Sequence, residues 1–528
     1  MRRFWIAAAA IALGLALVAV AVGAAQQTRT NRSELLKTER HVLKAHKQAL
    51  RAAARRKARG LRVARAPSSP RDARALNMEV VAHNPLGDRG FNADVWAHEG
   101  YAYIGQWGFT DWAQGSKQRF CPSGERAGIA VVEVDAVDPA NVTHRVSTLR
   151  NPPLTSAEDV VVFSQGARDI AVSGIQVCGG SRANTDIFRG IMLWDVTNPA
   201  VPVEIGRLDT GCCTRGVHEL EVEQHTNGHW YAYATVPASE YAEEGSPPPS
   251  LYRDRLGRGD FRMIDITNPS SPVEVSDWGV IHDAGGPLGP GLGCDADPVY
   301  GHGAEPSEDG ETVFLAYWDS GFVALDVSNP SNPTYLRDSD YEANEDGDAH
   351  SSMYDDDRGL LFSADEDFCK GGSKETERGY GYVRVWDYWA GTKPVQLSTF
   401  RTPNSMAPTA LGAGDYVSHN PWLVGTDVYV SWYSDGVRVA SSANPDPNPA
   451  TSEEILPEVA YFVPPASQNP VKPSQRGVLS QTPQVWGVVV APTADAANGG
   501  RCATDQAGEC LVYLSDMNSG LWIVRRTD

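Results

Sequence analysis

A ten-residue pattern recurs along the chain and constrains its fold more than any other feature. Gly190 to Pro199 reads GIMLWDVTNP, Asp260 to Pro269 reads DFRMIDITNP, and Gly321 to Pro330 reads GFVALDVSNP. A looser copy spans Gly128 to Asp135 with Asp138-Pro139 after it; Gly381 to Asp387, Gly436 to Ala440 and Gly520 to Val524 are degenerate copies. The leading Gly permits a tight turn into a strand. The β-branched, aromatic and aliphatic run that follows predicts a strand buried on both faces. The Asp predicts a strand end, with its carboxylate on nearby backbone N–H groups. Asn-Pro then predicts a turn, because Pro fixes φ and lacks a donor.

Other strand-like runs flank each copy. Val160–Phe163 and Asp169–Val172 precede the second, Leu220–Val222 and Trp230–Ala234 the third, Thr312–Tyr317 the fourth, and Asp427–Trp432 the sixth. Pro202–Ile205 and Pro272–Val275 follow their copies as outer strands. Gly 50 and Pro 35 supply turn residues in quantity. The unit is therefore four short strands, with a period of roughly 50 to 80 residues once loop insertions are included. About seven such units predict an all-β chain, a seven-bladed β-propeller of four-stranded blades. A stacked solenoid is the competing architecture, but solenoid repeats are usually shorter. The last copy ends at Asp528 without an outer strand, and Met78–Val81 stands alone before the first unit. The N-terminal strand is thus expected to complete the last blade and close the ring.

Met263-Ile-Asp-Ile-Thr-Asn-Pro269 and Ala324-Leu-Asp-Val-Ser-Asn-Pro330 resemble the LVIVD repeat, named for a strand of that type. The resemblance extends over about residues 77 to 528 and fades in the sixth unit, where the Asp and Asn-Pro are displaced. It implies a β-propeller exported from a bacterial-type cell. It brings no catalytic residues with it.

The ends of the chain read differently. Arg2 and Arg3 precede an uncharged apolar run from Phe4 to Val22, and small residues follow at Gly23-Ala24-Ala25. Residues 1–25 are expected to be a signal peptide, or an uncleaved anchor, since the run approaches the ~20 residues that span a bilayer. From Thr28 to Ala75 there are 15 Lys or Arg against Glu34, Glu39 and Asp72, a net of +12. Setting these and Arg2 and Arg3 apart from the formal −20 leaves −34 on residues 76–528. Residues 26–76 are read as a basic linker, helix-prone over Ser33–Arg59, and as the segment able to meet anionic lipid or cell-wall polymer. Nucleic acid is excluded as a partner, because the acidic body repels phosphate. The eight Cys residues suit an oxidising compartment. Cys502–Cys510 is the first expected disulfide; Cys121–Cys178 and Cys212 or Cys213 with Cys294 follow.

The chemistry-bearing residues cluster by position within the repeat. Where each unit's innermost strand should begin, successive units offer Asp94, Asp159, His218, His302, His350, His419 and Gln484. Equivalent positions in a propeller form a ring around the central channel. Four His and the carboxylates Asp94, Asp159 and Glu219 could bind Zn, Cu or Fe through neutral imidazole nitrogen. The same ring could equally be a structural polar lining that bonds to itself and to water. Ca²⁺ is a poorer fit: the acidic runs Asp338–Asp348, Asp355–Asp357 and Asp365–Asp367 lack EF-hand spacing. Trp107, Trp112, Trp318, Trp389 and Trp432 could stack on sugars or pack between blades. No nucleophile elbow, HExxH or Walker motif occurs. Two functions follow: an exported binding or scaffold module for a protein, glycan or cell-wall polymer, or a metal-dependent oxidase or hydrolase working at the His ring.

Overall fold

The computed structural model describes residues 74–528, apart from 111–118, 135–144, 181–183, 212–213, 238, 240–257, 286–299, 319, 340–346, 369–380, 407–413, 444–455, 467–481 and 493–509. The expected signal, the Ser33–Arg59 stretch and Trp112 lie outside the described residues, as do Cys212, Cys213, Cys294 and Cys502. Regular structure among the described residues is all β, in 31 strands without an α-helix.

The strands pair antiparallel in chain order, four to a unit. The first unit is Asn92–His98, Tyr101–Gln106, Ile129–Glu133 and Arg145–Leu149. The second is Thr155–Gln165, Arg168–Val177, Gly190–Asp195 and Val203–Asp209. The third is Leu220–Gln224, Trp230–Thr235, Phe261–Asp265 and Val273–Trp278. The fourth is Gly303–Pro306, Thr312–Ala316, Phe322–Asp326 and Thr334–Asp338. The fifth is Ala349–Asp355, Leu360–Asp365, Val383–Asp387 and Val395–Phe400. The sixth is Pro421–Val424, Asp427–Ser431, Val437–Ser441 and Glu458–Val463. The seventh is Val485–Pro492, Cys510–Asp516 and Gly520–Arg526, with Met78–Asn84 as its fourth strand. Arg74–Leu76 adds a fifth strand to the sixth unit beside Glu458–Val463, so pairing begins slightly before residue 77.

The repeat works locally as its chemistry demands. Asp195, Asp265 and Asp326 each accept a hydrogen bond through Oδ1 from the backbone N–H two residues on, at 3.1, 2.9 and 2.9 Å. Asn198, Asn268 and Asn329 do the same at 3.3 Å, and each carbonyl accepts the N–H three residues on at 2.9 Å. The strand end and turn are thus satisfied within the motif in all three copies. Gly190 has a φ of 143°, and a Cβ there would lie 2.0 Å from the Leu208 carbonyl. At this position of the second unit only Gly lets the third strand start against the fourth.

Both faces of each sheet are covered. Apolar clusters sit between consecutive units: Ile129 and Val131 with Val160 and Val162, Val172 and Ile191 with Ala232 and Ile264, Tyr233 and Phe261 with Val313 and Leu325. Phe314 and Phe322 meet Leu361 and Tyr388, and Phe362 and Val385 meet Val430 and Trp432. A larger cluster joins the sixth, seventh and first units around Tyr429, Val489, Leu514, Trp522 and Ile104. The first strands touch in succession from the first unit to the seventh, and the seventh touches the first. The chain ends meet in one sheet, with Met78 opposite Arg526 and Asn84 opposite Leu521. His83 stacks on Trp522 at 3.8 Å.

The first expected outcome concerns that pairing. A chain starting at Arg74 should melt with the full chain, whereas one starting at Pro85 bares the Gly520–Arg526 edge and should melt lower and aggregate. Trp522→Ala, which empties a fully buried site, should cost ~3–5 kcal/mol in denaturant unfolding.

Candidate metal centre

Four imidazoles reach the middle of the molecule because each first strand opens in the same irregular way. His350 occupies the bulge between Ala349 and Ser351, and Trp486 the bulge between Val485 and Gly487. His218, His302 and His419 stand just before their strands, each held by its N–H to the carbonyl of Thr235, Ala316 or Ser431, at 2.9, 2.8 and 2.9 Å. In the first two units the bulged pairs are Ala93 with Asp94 and Glu158 with Asp159.

This register defines two tiers. The His tier comprises Ala93, Glu158, His218, His302, His350, His419 and Trp486. One residue further along comes Asp94, Asp159, Glu219, Gly303, Ser351, Asn420 and Gly487. The expectation of one ring therefore needs correcting: Asp94 and Asp159 belong to the second tier with Glu219. Gln484 precedes the first tier and bonds Asp516, Asp415 and Ser434 instead. A bulge adds a residue without advancing the ladder, so counting along the sequence misplaces carboxylates by one.

The four imidazoles form a continuous arc. Ring centroids lie 4.3 Å apart for His218 and His302, 3.9 Å for His302 and His350, and 4.0 Å for His350 and His419. His218 Nε2 is 2.8 Å from His302 Nε2. His218 Nδ1 is 2.7 Å from Glu158 Oε2, and Gln176 Nε2 lies 3.0 Å from the same oxygen and 2.5 Å from Nδ1. Gln176 donates its amide N–H to Nδ1, so the His218 proton sits on Nε2 and is directed at His302 Nε2. A carboxylate behind an imidazole is the usual outer support of a metal-binding His. Glu219 Oε1 stands 3.4 Å from His302 Nδ1 and 3.8 Å from His350 Nε2. Glu366, which follows the second strand of the fifth unit, lies 3.6 Å from His350 Nε2 and 3.9 Å from His419 Nε2. Tyr433 donates its hydroxyl proton to Glu366 Oε1. Both His419 ring nitrogens are buried without a hydrogen-bond partner.

Burial sets the protonation. It pushes His302 down to about 3, with Arg215 adding to the effect, and holds His218, His350 and His419 well below the imidazole range, with neighbouring His adding to it. Burial likewise pushes Glu366 up to about 8 and Asp159 up to about 7, and raises Glu158, Glu219 and Asp94 well above the carboxylate range. The His–Glu contacts are consequently not ion pairs, and His218–Glu158, at 2.7 Å, is the one of hydrogen-bond length among those given above. Neutral imidazole is the form that ligates metal. Ligand atoms of His218, Glu219 and His302 all lie within 4.8 Å of one another, and so do those of His302, His350 and Glu366.

The two sides of the His tier differ. Ala93 and Trp486 are packed into a cluster with Phe91, Phe120, Phe368, Val417, Tyr433 and Met517, contributed by segments on the strand-entry side. On the other side lies a cavity of ≈ 80 Å³, lined by Asp94, Asp159 and Glu219 and, further along the strands, by Trp96, Glu305, Met353 and Trp422. Glu219 borders both the imidazoles and this cavity.

Other candidates take structural places. Trp318 stacks on Tyr300 and packs near His302, and Trp432 is fully buried; both are packing residues. Trp389 is partly exposed under Arg337. Asp365 pairs with buried Arg384 at 2.8 Å, and Asp355 with Arg358 at 2.6 Å, whereas residues 340–346 of the acidic run Asp338–Asp348 lie outside the described residues. Cys121 and Cys178 form a disulfide, and Cys510 is disulfide-bonded. Glu158 and Tyr433 are not among the candidates the sequence offers, and Glu366 is offered only within the acidic run Asp365–Asp367. Glu158 was available from aligning Ala157-Glu158-Asp159 with Val217-His218-Glu219; Glu366 and Tyr433 come from outside the first strands and carry no repeat signal.

A profile of the LVIVD repeat matches residues 89–110, 257–278 and 309–338. The chain carries LVIVD repeats. The first LVIVD match covers the opening strands of the first unit, including Ala93 and Asp94; the second and third include the strand-and-turn motifs ending at Pro269 and Pro330. No curated protein matches the chain. Among solved structures, the computationally designed Ika8 protein is similar over 84% of this chain and 98% of its own, at 10% identity and a TM-score of 0.39. So slight a likeness adds nothing to the strand pairing of the LVIVD units described above.

The protonation pattern sets the pH response of chelator-treated protein. The acids are raised in the fold, so their contribution declines as pH climbs from the unfolded value, ~4, through the folded one. The imidazoles, lowered in the fold, act only below about pH 6.5. From about pH 6.5 to 8 the acids act alone, and the melting temperature should fall across that window. Melting curves at constant ionic strength check this.

Proposed function

We propose that the protein is a closed seven-bladed β-propeller working as an exported binding module, and that its axis binds a divalent transition metal. The closed ring is supported by the succession of first-strand contacts and by the pairing of Met78–Asn84 with Gly520–Arg526. The metal reading is carried by one observation: two overlapping sets of ligand atoms, His218–Glu219–His302 and His302–His350–Glu366, each within 4.8 Å. Imidazole with carboxylate suits Zn, Cu or Fe, held by His218, His302 and His350 with Glu219 or Glu366. His419 is the reserve ligand.

Purified protein should carry about one such ion per chain, measured by elemental analysis. His218→Ala combined with His350→Ala should reduce it at least tenfold. A wild-type chain that takes up no Zn²⁺, Cu²⁺ or Fe²⁺ would refute the reading and leave the imidazoles as structural lining.

Export is supported by the Arg2-Arg3 and apolar start of residues 1–25 and by the Cys121–Cys178 disulfide. The partners we propose are a protein, glycan or cell-wall polymer at the envelope, with membrane contact only through residues 1–76. Nucleic acid stays excluded by charge. Removing residues 26–76 should release the protein from envelopes; retention would place the contact on the propeller.

A metal-dependent oxidase or hydrolase is the second reading. It is favoured by the cavity that reaches Glu219 beside His302 and His350, since a catalytic metal needs a position open to a small molecule. Co²⁺-substituted protein should then change its visible spectrum on addition of azide; an unaltered spectrum would favour the binding module alone.

A further inference from the structure

We propose that His98, Glu99 and Asp169 form a metal site of their own, for Zn²⁺ or a similar borderline divalent ion, which ties the first two units together independently of the axial imidazoles. Its residues come from two hairpins. His98 closes the first strand of the first unit and pairs with Tyr101 across a two-residue turn, Glu99-Gly100. Asp169 lies in the second strand of the second unit, opposite Ser164 of the first. The strand that ends at His98 begins with Asn92, Ala93 and Asp94. This group and the tier of imidazoles therefore belong to opposite ends of the first strands.

One ligand atom from each of His98, Glu99 and Asp169 lies within 4.8 Å of the other two. His98 Nε2 is 3.1 Å from Asp169 Oδ1. Ser164 Oγ lies 2.8 Å from that oxygen and 3.4 Å from that nitrogen. Two donors held ~2.0–2.1 Å from one tetrahedral Zn²⁺ stand ~3.3 Å apart. The nitrogen and the two oxygens are thus already spaced as one face of a coordination shell, and Glu99 supplies a further donor. Both turn residues have positive φ, 44° at Glu99 and 80° at Gly100. Such a turn takes Asn or Asp before Gly, so turn chemistry does not account for Glu there. Its carboxylate instead joins that of Asp169, where like charges repel until a cation lies between them. One imidazole with two carboxylates suits Zn²⁺, whereas Ca²⁺ takes oxygen alone. The side chains of His98 and Asp169 are 12% and 18% exposed, which leaves a water-facing side for a solvent ligand and for exchange of the ion. On dialysis this ion leaves, and the axial ion alone stays with the purified chain.

Zn²⁺ titrated by calorimetry into chelator-treated full-length protein should fill this site in addition to the axial one. His98→Ala should weaken it at least as much as loss of an outer-shell partner does, ~10-fold, and Glu99→Gln, at an exposed turn, several-fold. The chain carrying His218→Ala with His350→Ala should keep it, so that the axial reading and this one fail separately. An ion that binds only the folded chain raises its melting temperature. Zn²⁺ should therefore raise that of the double variant, and no longer do so once His98→Ala is added. Should the double variant not fold, Glu99→Gln in the wild-type background decides. A folded double variant that binds no Zn²⁺, or Zn²⁺ binding that neither His98→Ala nor Glu99→Gln weakens, would overturn the proposal.

Discussion

The antiparallel pairing of Met78–Asn84 with Gly520–Arg526 is the contact on which the remaining geometry depends. In every other unit the four strands follow one another along the chain, with Arg74–Leu76 added to the sixth as a fifth. The seventh takes the fourth of its four strands from the far end of the sequence. That strand covers an edge that would otherwise offer unpaired N–H and C=O groups to another chain. It also brings Met78 and Ala82 into the apolar cluster shared by the sixth, seventh and first units. The seventh first strand is thereby held against the first, which keeps the inner residues of all seven units facing one another.

What those inner residues can do follows from crowding. Four imidazoles and five carboxyl groups share a buried volume, and burial drives both kinds of group toward neutrality. A neutral imidazole keeps a lone pair available, and His419 spends neither nitrogen on a hydrogen bond. A cation would let the acids ionise without leaving unpaired charge in the interior. The tiers differ in side-chain type, imidazoles with Glu158 in one and the carboxylates of Asp94, Asp159 and Glu219 in the next. The aromatic cluster around Trp486 and Tyr433 packs the strand-entry side, and the cavity lies beyond Glu219 on the other.

Much of this was legible in the chain. Asp195, Asn198 and Pro199, with their counterparts in two other copies, specify a strand end and a turn through contacts only a few residues long. Local chemistry of that kind survives in any context, and so the repeat could be read directly. The grouping of His218, His302, His350 and His419 was also legible, because residues at one place in a repeat occupy one place in the architecture. The placement of Asp94 and Asp159 beside them was off by one, since a bulge is set by how two strands fit and leaves no mark in a single sequence. Glu158 was hidden by the same shift. Glu366 and Tyr433 reach the imidazoles from outside the first strands, where no periodicity points to them.

The sequence by itself determined the strands, their order, their turns and the set of inward-facing imidazoles, because each depends on residues adjacent in the chain or repeated along it. Only the tertiary structure decided the rest. It stacked carboxylates one residue beyond the imidazoles, set Glu158 behind His218, and joined Asp94 to Asn420 across 326 residues. Those arrangements depend on bulge register and on the meeting of distant units, which are packing outcomes of the seven units together rather than properties of any one segment.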